Sequence, residues 1–232
     1  MTSSVKKVII ENGVTNVGLY AFLACNNLIS VEIPESVTLI QSYAFQNCSS
    51  LTSINVDDNN LNYMDDNGVL YTKDGKSLLQ YPIGKEEKCY TILSSTKRIG
   101  YNAFEGCNNL TSIENSSNVT IINDNAFFNC RSLTNIEIPS SLVSIGANAF
   151  GGCINLISIE IPKNLTNIGV NAFVGCDSLT RIEVDENNLK YMDDNGVLYL
   201  KDMTKLIKYP AGKKESMYTI LSEVKNIENY AF

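Results

Sequence analysis

The side chains that could carry chemistry in this chain are few and regularly placed. They are seven cysteines, a recurrent glutamate and two Asp-Asp-Asn-Gly turns, in a sequence of 232 residues without a histidine. Histidine is the commonest general base and activator of nucleophiles near neutral pH, so the usual routes to acyl and phosphoryl transfer are missing. No Gly-x-Ser-x-Gly elbow and no glycine-rich phosphate loop is present. A carboxylate pair could serve a glycosidase, but that chemistry needs a pocket around the scissile bond. The expectation is no enzyme: no catalytic residues and no cofactor.

Six of the cysteines, Cys25, Cys48, Cys107, Cys130, Cys153 and Cys176, each follow the alanine of an Ala-Phe pair by four residues. A small residue returning at one register is expected to be a reduced packing residue. Stacked copies would run their Cβ vectors parallel rather than facing, which a disulfide does not accept. Without histidine or a Cys-x-x-Cys, zinc is not expected. Cys89 lies outside this register and is expected to pack against a neighbouring hairpin, with intermolecular pairing as the alternative. The turns Asp65-Asp66-Asn67-Gly68 and Asp193-Asp194-Asn195-Gly196 lack the alternating acidic ligands and distal glutamate of a calcium loop. They read as plain turns, and no metal site is expected.

The elements that position these residues are repeats. Ala-Phe pairs begin at Ala21, Ala44, Ala103, Ala126, Ala149, Ala172 and Ala231, with spacings of 23 or 59 residues. A fixed period in this range marks a stacked array in which each unit buries its apolar face only against its neighbours. Within a unit such as residues 138–161, an alternating Ile-x-Ile reads as a short strand, and the proline after it ends that strand. Ser-Val-Thr-x-Ile then supplies inward side chains across a turn. Ala-Phe-x-x-Cys returns the chain through a 3₁₀ or irregular segment, with the phenylalanines expected to form one continuous column. Each 59-residue spacing holds a 36-residue insertion, at about 57–92 and 185–220, and the two insertions match at a constant offset of 128. Asn67-Gly68 between apolar runs predicts a β-hairpin in each. Tyr90-Thr91-Ile92 is then expected to rejoin the strand ladder.

The composition, 44% hydrophobic and 19% charged, is that of a folded chain, and the repeat predicts a single solenoid over residues 1–232, interrupted mid-repeat at Phe232. A net charge of −7 without a basic cluster argues against nucleic acid and anionic membranes as partners. No signal peptide and no apolar run long enough to span a bilayer is apparent. Uncapped ends are expected to mark either a segment of a longer array or an end-to-end self-association.

The unit Ile-Pro-x-Ser-Val-Thr-x-Ile-x-x-x-Ala-Phe-x-x-Cys-x-x-Leu-Thr-Ser-Ile resembles the BspA-like leucine-rich repeats, the Treponema pallidum type. The insertion Asp-Asn-Gly-Val-Leu-Tyr … Tyr-Pro-x-Gly-Lys … Tyr-Thr-Ile is similar to one that recurs in such arrays. The resemblance covers the whole chain. It implies an α/β-type, mostly β repeat solenoid, right-handed and curved, with a concave parallel sheet and short 3₁₀ or irregular convex segments. It further implies a secreted or cell-surface protein, often virulence-associated, that adheres to host matrix proteins, cells or other microbes. It transfers no catalytic residue. The chain departs from the family in showing no export signal and no capping sequence.

Side chains alternate across a strand, so the residues flanking the buried isoleucine form two outward columns, expected on the concave face. One contains Ser30, Ser53, Ser112, Asn135, Ser158 and Arg181; the other contains Glu32, Asn55, Glu114, Glu137, Glu160 and Glu183. Glu114, Glu137, Glu160 and Glu183 are expected to stack on consecutive strands. Such like-charge stacking costs about a few tenths of a kcal/mol per pair, and its retention points to an acidic groove for a basic protein segment, or to weak divalent-cation binding. The alternative is a solvated residue copied with its repeat. The functional expectation is a protein-binding or adhesion module whose partner is a protein, such as a host matrix or cell-surface protein. Its rivals are a structural spacer displaying another domain and the non-catalytic part of a larger enzyme. Asn-x-Ser/Thr sequons at Asn47, Asn109, Asn115, Asn118 and Asn164 are explained by a chain rich in those residues.

Overall fold

The computed structural model describes residues 4–114 and 117–232. The chain winds as a β-solenoid of about ten turns, with no helix among the described residues. Its strands, numbered β1 to β21 along the chain, fall into two ladders and two insertions. The Ile-x-Ile segments form the first ladder: β1 (Lys7–Ile9), β3 (Ser30–Ile33), β5 (Ser53–Val56), β9 (Cys89–Thr91), β11 (Ser112–Glu114), β13 (Asn135–Ile136), β15 (Ser158–Ile161) and β17 (Arg181–Val184). The segment read as a turn, Val-Thr-x-Ile, forms a second ladder of two-residue strands. These are β2 (Asn16–Val17), β4 (Leu39–Ile40), β10 (Arg98–Ile99), β12 (Ile121–Ile122), β14 (Ser144–Ile145), β16 (Asn167–Ile168) and β21 (Asn226–Ile227). The insertions contribute β6 (Tyr63–Asp66), β7 (Val69–Thr72) and β8 (Ser77–Gln80), then β18 (Tyr191–Asp194), β19 (Val197–Leu200) and β20 (Lys205–Lys208).

Of the two forms expected for the return segment, the irregular one is adopted, because two residues per coil take the left-handed region. The residue before Ala-Phe does so at Asn102, Asn125, Asn148 and Asn171, with φ between 50° and 58°. The residue before cysteine does so at Asn47, Asn129, Gly106, Gly152 and Gly175. Asparagine and glycine tolerate this conformation best among the residues, which explains asparagine at the first slot and asparagine or glycine at the second. Tyr20, Tyr43 and Tyr230 adopt it at the first slot too, and Ala24 at the second.

Each insertion is an antiparallel three-stranded meander, β6–β7–β8 and β18–β19–β20. Its last strand continues the second ladder in parallel, β8 to β10 and β20 to β21. Its first half closes the ladders that precede it. In plain coils a residue such as Ile10 donates its N–H to a carbonyl of the next coil, Glu32. At the insertion Val56 N–H goes instead to Asp65 Oδ1 at 2.8 Å, and Ile54 N–H to the Gly68 carbonyl at 2.9 Å. On the second ladder Ile40 N–H donates to the Tyr63 hydroxyl at 2.9 Å. Asp193, Gly196 and Tyr191 repeat these contacts with Val184, Ile182 and Ile168. Gly68 is required here: its φ is +79°, and a Cβ would lie 2.8 Å from Ser53 Cβ. The orphan donors of each strand edge are thus satisfied inside the chain, as buried backbone groups must be.

The core follows the same division. The expected continuous phenylalanine column is instead three stacks: Phe22–Phe45, then Tyr81–Phe104–Phe127–Phe150–Phe173, then Tyr209–Phe232, with centroids 5.0–5.8 Å apart. The insertion puts a tyrosine in the phenylalanine slot and its own strands between the stacks. The buried apolar residues form three clusters accordingly.

Candidate functional site

The two predicted columns stand on the outward face of the first ladder. Ser30, Glu32, Ser53, Ser112 and Ser158 are half-buried, whereas Asn55, Glu114, Asn135, Glu137, Glu160, Arg181 and Glu183 are exposed. Within each sheet the columns are in register: Ser30 faces Ser53 and Glu32 faces Asn55, and Ser158 faces Arg181 and Glu160 faces Glu183. Ser112 lies between Cys89 and Asn135.

The glutamates do not form the expected four-step ladder. The first ladder is divided into β1-β3-β5, β9-β11-β13 and β15-β17. β13 ends at Ile136, so Glu137 follows the strand, and β13 and β15 are not paired. Only Glu160 and Glu183 are direct partners. Like charges placed opposite one another weaken a pair, and an unbroken ladder would have opposed four of them. Two of the column's carboxylates also have local cations. Lys7 Nζ lies 2.5 Å from Glu32, and Arg181 Nε lies 2.8 Å from Glu183. Both pairs are exposed, so each is worth about 0–1 kcal/mol.

The cysteine register is a packing register, as expected. Cys48, Cys107, Cys130, Cys153 and Cys176 are buried, Cys25 is half-buried, and all seven thiols are free. The thiols of Cys48, Cys130, Cys153 and Cys176 donate to the Phe22, Phe104, Phe127 and Phe150 carbonyls at 2.9–3.1 Å. Burial pushes the Cys48 thiol up to about 11 and Cys176 to about 12, and raises Cys107, Cys130 and Cys153 as well. Thiolate is the reactive form, so these groups are inert. Cys89 does not pack against the hairpin: it sits on the outward face of β9 and is exposed, because the flanking Tyr90 takes the inward position.

The Asp-Asp-Asn-Gly turns are plain turns with a structural task. Asp65 spends Oδ1 on Val56 N–H and Oδ2 on Gly68 N–H, and Asp66 accepts from Asn67 Nδ2. Among the described residues no group of His, Cys, Asp and Glu could hold a metal ion. The sequon asparagines Asn109, Asn118 and Asn164 donate to the Lys85, Ser94 and Ser140 carbonyls of the preceding coil. Asn115 lies outside the described residues.

No motif points to the return side of the second ladder, where the structure opens a cleft of about 200 Å³ between Tyr43 and Tyr101. Its signal was present in the two 128-offset copies, which differ there at Ser77/Lys205, Gln80/Lys208 and Gly100/Glu228. No helix among the described residues is long and apolar enough to cross a membrane.

Comparison with known proteins agrees with this architecture. The model for the BspA type leucine-rich repeat region matches in six copies, over residues 1–73 and 87–204. A search of curated proteins found no match. The structure is similar to the pneumococcal vaccine antigen PcpA (20% identity, TM-score 0.74, 97% of this chain and 63% of that one). It is also similar to a leucine-rich repeat protein of Eubacterium ventriosum (25%, TM-score 0.72, 97% and 63%). A third is a leucine rich cell surface protein of Faecalibacterium prausnitzii (28%, TM-score 0.68, 97% and 59%). The chain therefore spans about three fifths of the length of these structures. With six matched copies over most of its length, the chain belongs to the BspA-type leucine-rich repeat family.

Proposed function

We propose that this chain is a non-enzymatic protein-binding module of a cell-surface or secreted protein, engaging its partner across the outward face of the first ladder. The observation that carries the reading is the alignment of outward polar side chains into in-register columns, half-buried Ser158 with Arg181 and exposed Glu160 with Glu183. A partner strand or helix laid along such a face meets polar side chains on successive coils of the array, which favours extended protein ligands over small ones. A net charge of −7 favours a partner with a basic face. The surface setting is supported by the Faecalibacterium prausnitzii protein, described as a cell surface protein, and by the pneumococcal vaccine antigen.

The test replaces Glu114, Glu137, Glu160 and Glu183 by glutamine and measures binding to a protein array together with thermal stability. The reading expects binding lost or reduced at least tenfold, with the fold intact. Unchanged binding with raised stability would show that these carboxylates are only the solvated face of a copied repeat.

A further inference from the structure

The insertions leave a mark on the second ladder. In a plain coil four residues lie between the second-ladder isoleucine and the stacked phenylalanine, as between Ile99 and Phe104. In the insertion Leu78 pairs with Ile99, yet Tyr81 already occupies the phenylalanine slot and donates its N–H to the Ala103 carbonyl at 2.7 Å. The expanded coil therefore lacks two residues of the outward turn, and a notch opens between the turns of the coils on either side. The same notch follows the second insertion, where ten of the twelve lining residues stand at the constant offset of 128 from residues lining the first.

The two notches differ in what fills them. In the second, Lys208 is buried and its ammonium donates to the Tyr230 carbonyl at 2.8 Å, with Lys205 and Glu228 paired beside it. About 60 Å³ remains. In the first, Ser77, Gln80 and Gly100 stand at these three positions, Gln80 turns to the carbonyl of Tyr81, and about 200 Å³ is open. The stem-accepting walls persist: Ile40, Phe45 and Leu79 stand where Ile168, Phe173 and Ile207 stand in the second.

We propose that the first cleft receives a lysine side chain of a partner polypeptide, in the pose that the second copy gives to Lys208. Apolar walls with an acceptor at the end suit a lysine, whose methylene stem buries readily while its ammonium seeks oxygen. The counterpart of the Tyr230 carbonyl is that of Asn102, next to the lining residue Tyr101; it accepts the Glu105 N–H at 3.0 Å and keeps its second lone pair for an ammonium. Asn102 is 5% exposed, and its side-chain Oδ1 is buried without a protein hydrogen-bond partner. Glu105 accepts from Asn102 Nδ2 and from Gln46 across the insertion. Tyr43 on the cleft wall has its hydroxyl pKa raised by burial first, then by Tyr20 and by the charges of Asp124 and Glu105. Arg98 is the only cation among the lining residues and stands where the second copy has Asn226. It opposes the ammonium and sets the sign of a test. The proposal concerns a different face from the first-ladder columns and stands or falls independently of them.

The chain is titrated with Nα-acetyl-lysine N-methylamide while backbone amide shifts of Tyr43, Tyr101 and Asn102 are followed by NMR. The norleucine analogue, which lacks the ammonium, and 1,5-diaminopentane serve as comparisons. Saturable shifts with the lysine amide, weaker ones with norleucine and with the diamine, are expected. Gln80→Lys should abolish them by filling the cleft from within, and Arg98→Asn should tighten binding several-fold. Reciprocally, Lys208→Gln should open the second notch, with new saturable shifts at Tyr230, and this arm stands even if Gln80→Lys fails to fold. Equal shifts with norleucine would reduce the cleft to an apolar dent. Tighter binding of the diamine would make the ligand a free amine rather than a polypeptide. Weakening by Arg98→Asn would point to an anion. Each of these three results overturns the proposal.

Discussion

Replacing Asn60 with leucine tests whether the insertion is held by one buried amide. Asn60 is 0% exposed, and both donors and both acceptor lone pairs of its side-chain amide are engaged at 2.8–3.0 Å. Its Nδ2 donates to the Pro34 and Val37 carbonyls of the preceding coil, and its Oδ1 accepts from the N–H groups of Asn62 and Tyr63. Leucine keeps the branching at Cγ, though it is bulkier, and leaves two carbonyls and two N–H groups unpaired. At about 1 kcal/mol net per hydrogen bond the loss is about 4 kcal/mol, and more where the orphaned groups stay dry. That is a large share of the roughly 5–15 kcal/mol that holds a native fold. Asn60→Asp sharpens the argument, because it keeps the shape and the acceptors but turns a carboxyl toward two carbonyl oxygens. Burial and that contact raise the folded-state pKa of the new carboxyl above its unfolded value of about 3.9. The folded state then retains a proton that the unfolded state has released, so stability falls as pH rises from about 4, by at most ~1.4 kcal/mol per pH unit until the folded pKa is passed. Urea unfolding followed by tyrosine fluorescence measures both variants against the wild type, since the chain has 12 tyrosines and no tryptophan. An unchanged midpoint for Asn60→Leu, or a deficit for Asn60→Asp that is the same near pH 4 as at about pH 7.5, would refute the reasoning.

Three further outcomes are expected. Phe127→Ala removes a ring stacked on both sides, at 5.0 and 5.2 Å, and should cost about 3–5 kcal/mol in the same unfolding assay; a cost below 1 kcal/mol would show that the stack carries little. Gly68→Ala forces a side chain to φ +79° and into Ser53, and should lower stability by about 1–3 kcal/mol, read as a fall in melting temperature. Maleimide labelling of the native chain at about pH 8, counted by mass spectrometry, should modify Cys89 first and Cys25 slowly. The five buried thiols, Cys48 and Cys176 among them with pKa values near 11 and 12, should react only after unfolding.

The period, the strand register and the place of both insertions were readable because each rests on local chemistry repeated many times. Leu133-x-x-Ile136 and Ala149-Phe150-x-x-Cys153 recur with little change, and a buried slot accepts few residue types. The second ladder was not readable, since a strand of two residues such as Arg98–Ile99 carries no alternation to detect. The alternation of the columns away from the buried isoleucine was legible in the sequence, but their continuity was not. Whether Glu137 meets Glu160 depends on backbone pairing between coils, which no pattern within a coil encodes.

The sequence by itself determined the solenoid, its 23-residue unit, its two 128-related insertions and the inert cysteine register, because burial of a regular set of side chains admits one winding. Only the tertiary structure decided how the array is divided. Asp65, Gly68, Tyr63 and Asn60 satisfy strand-edge and turn groups of earlier coils, and those partners lie up to 26 residues away in the chain. It also decided that one insertion leaves an open cleft while its copy is filled by Lys208, since a cavity is set by the combined volume of side chains from several coils.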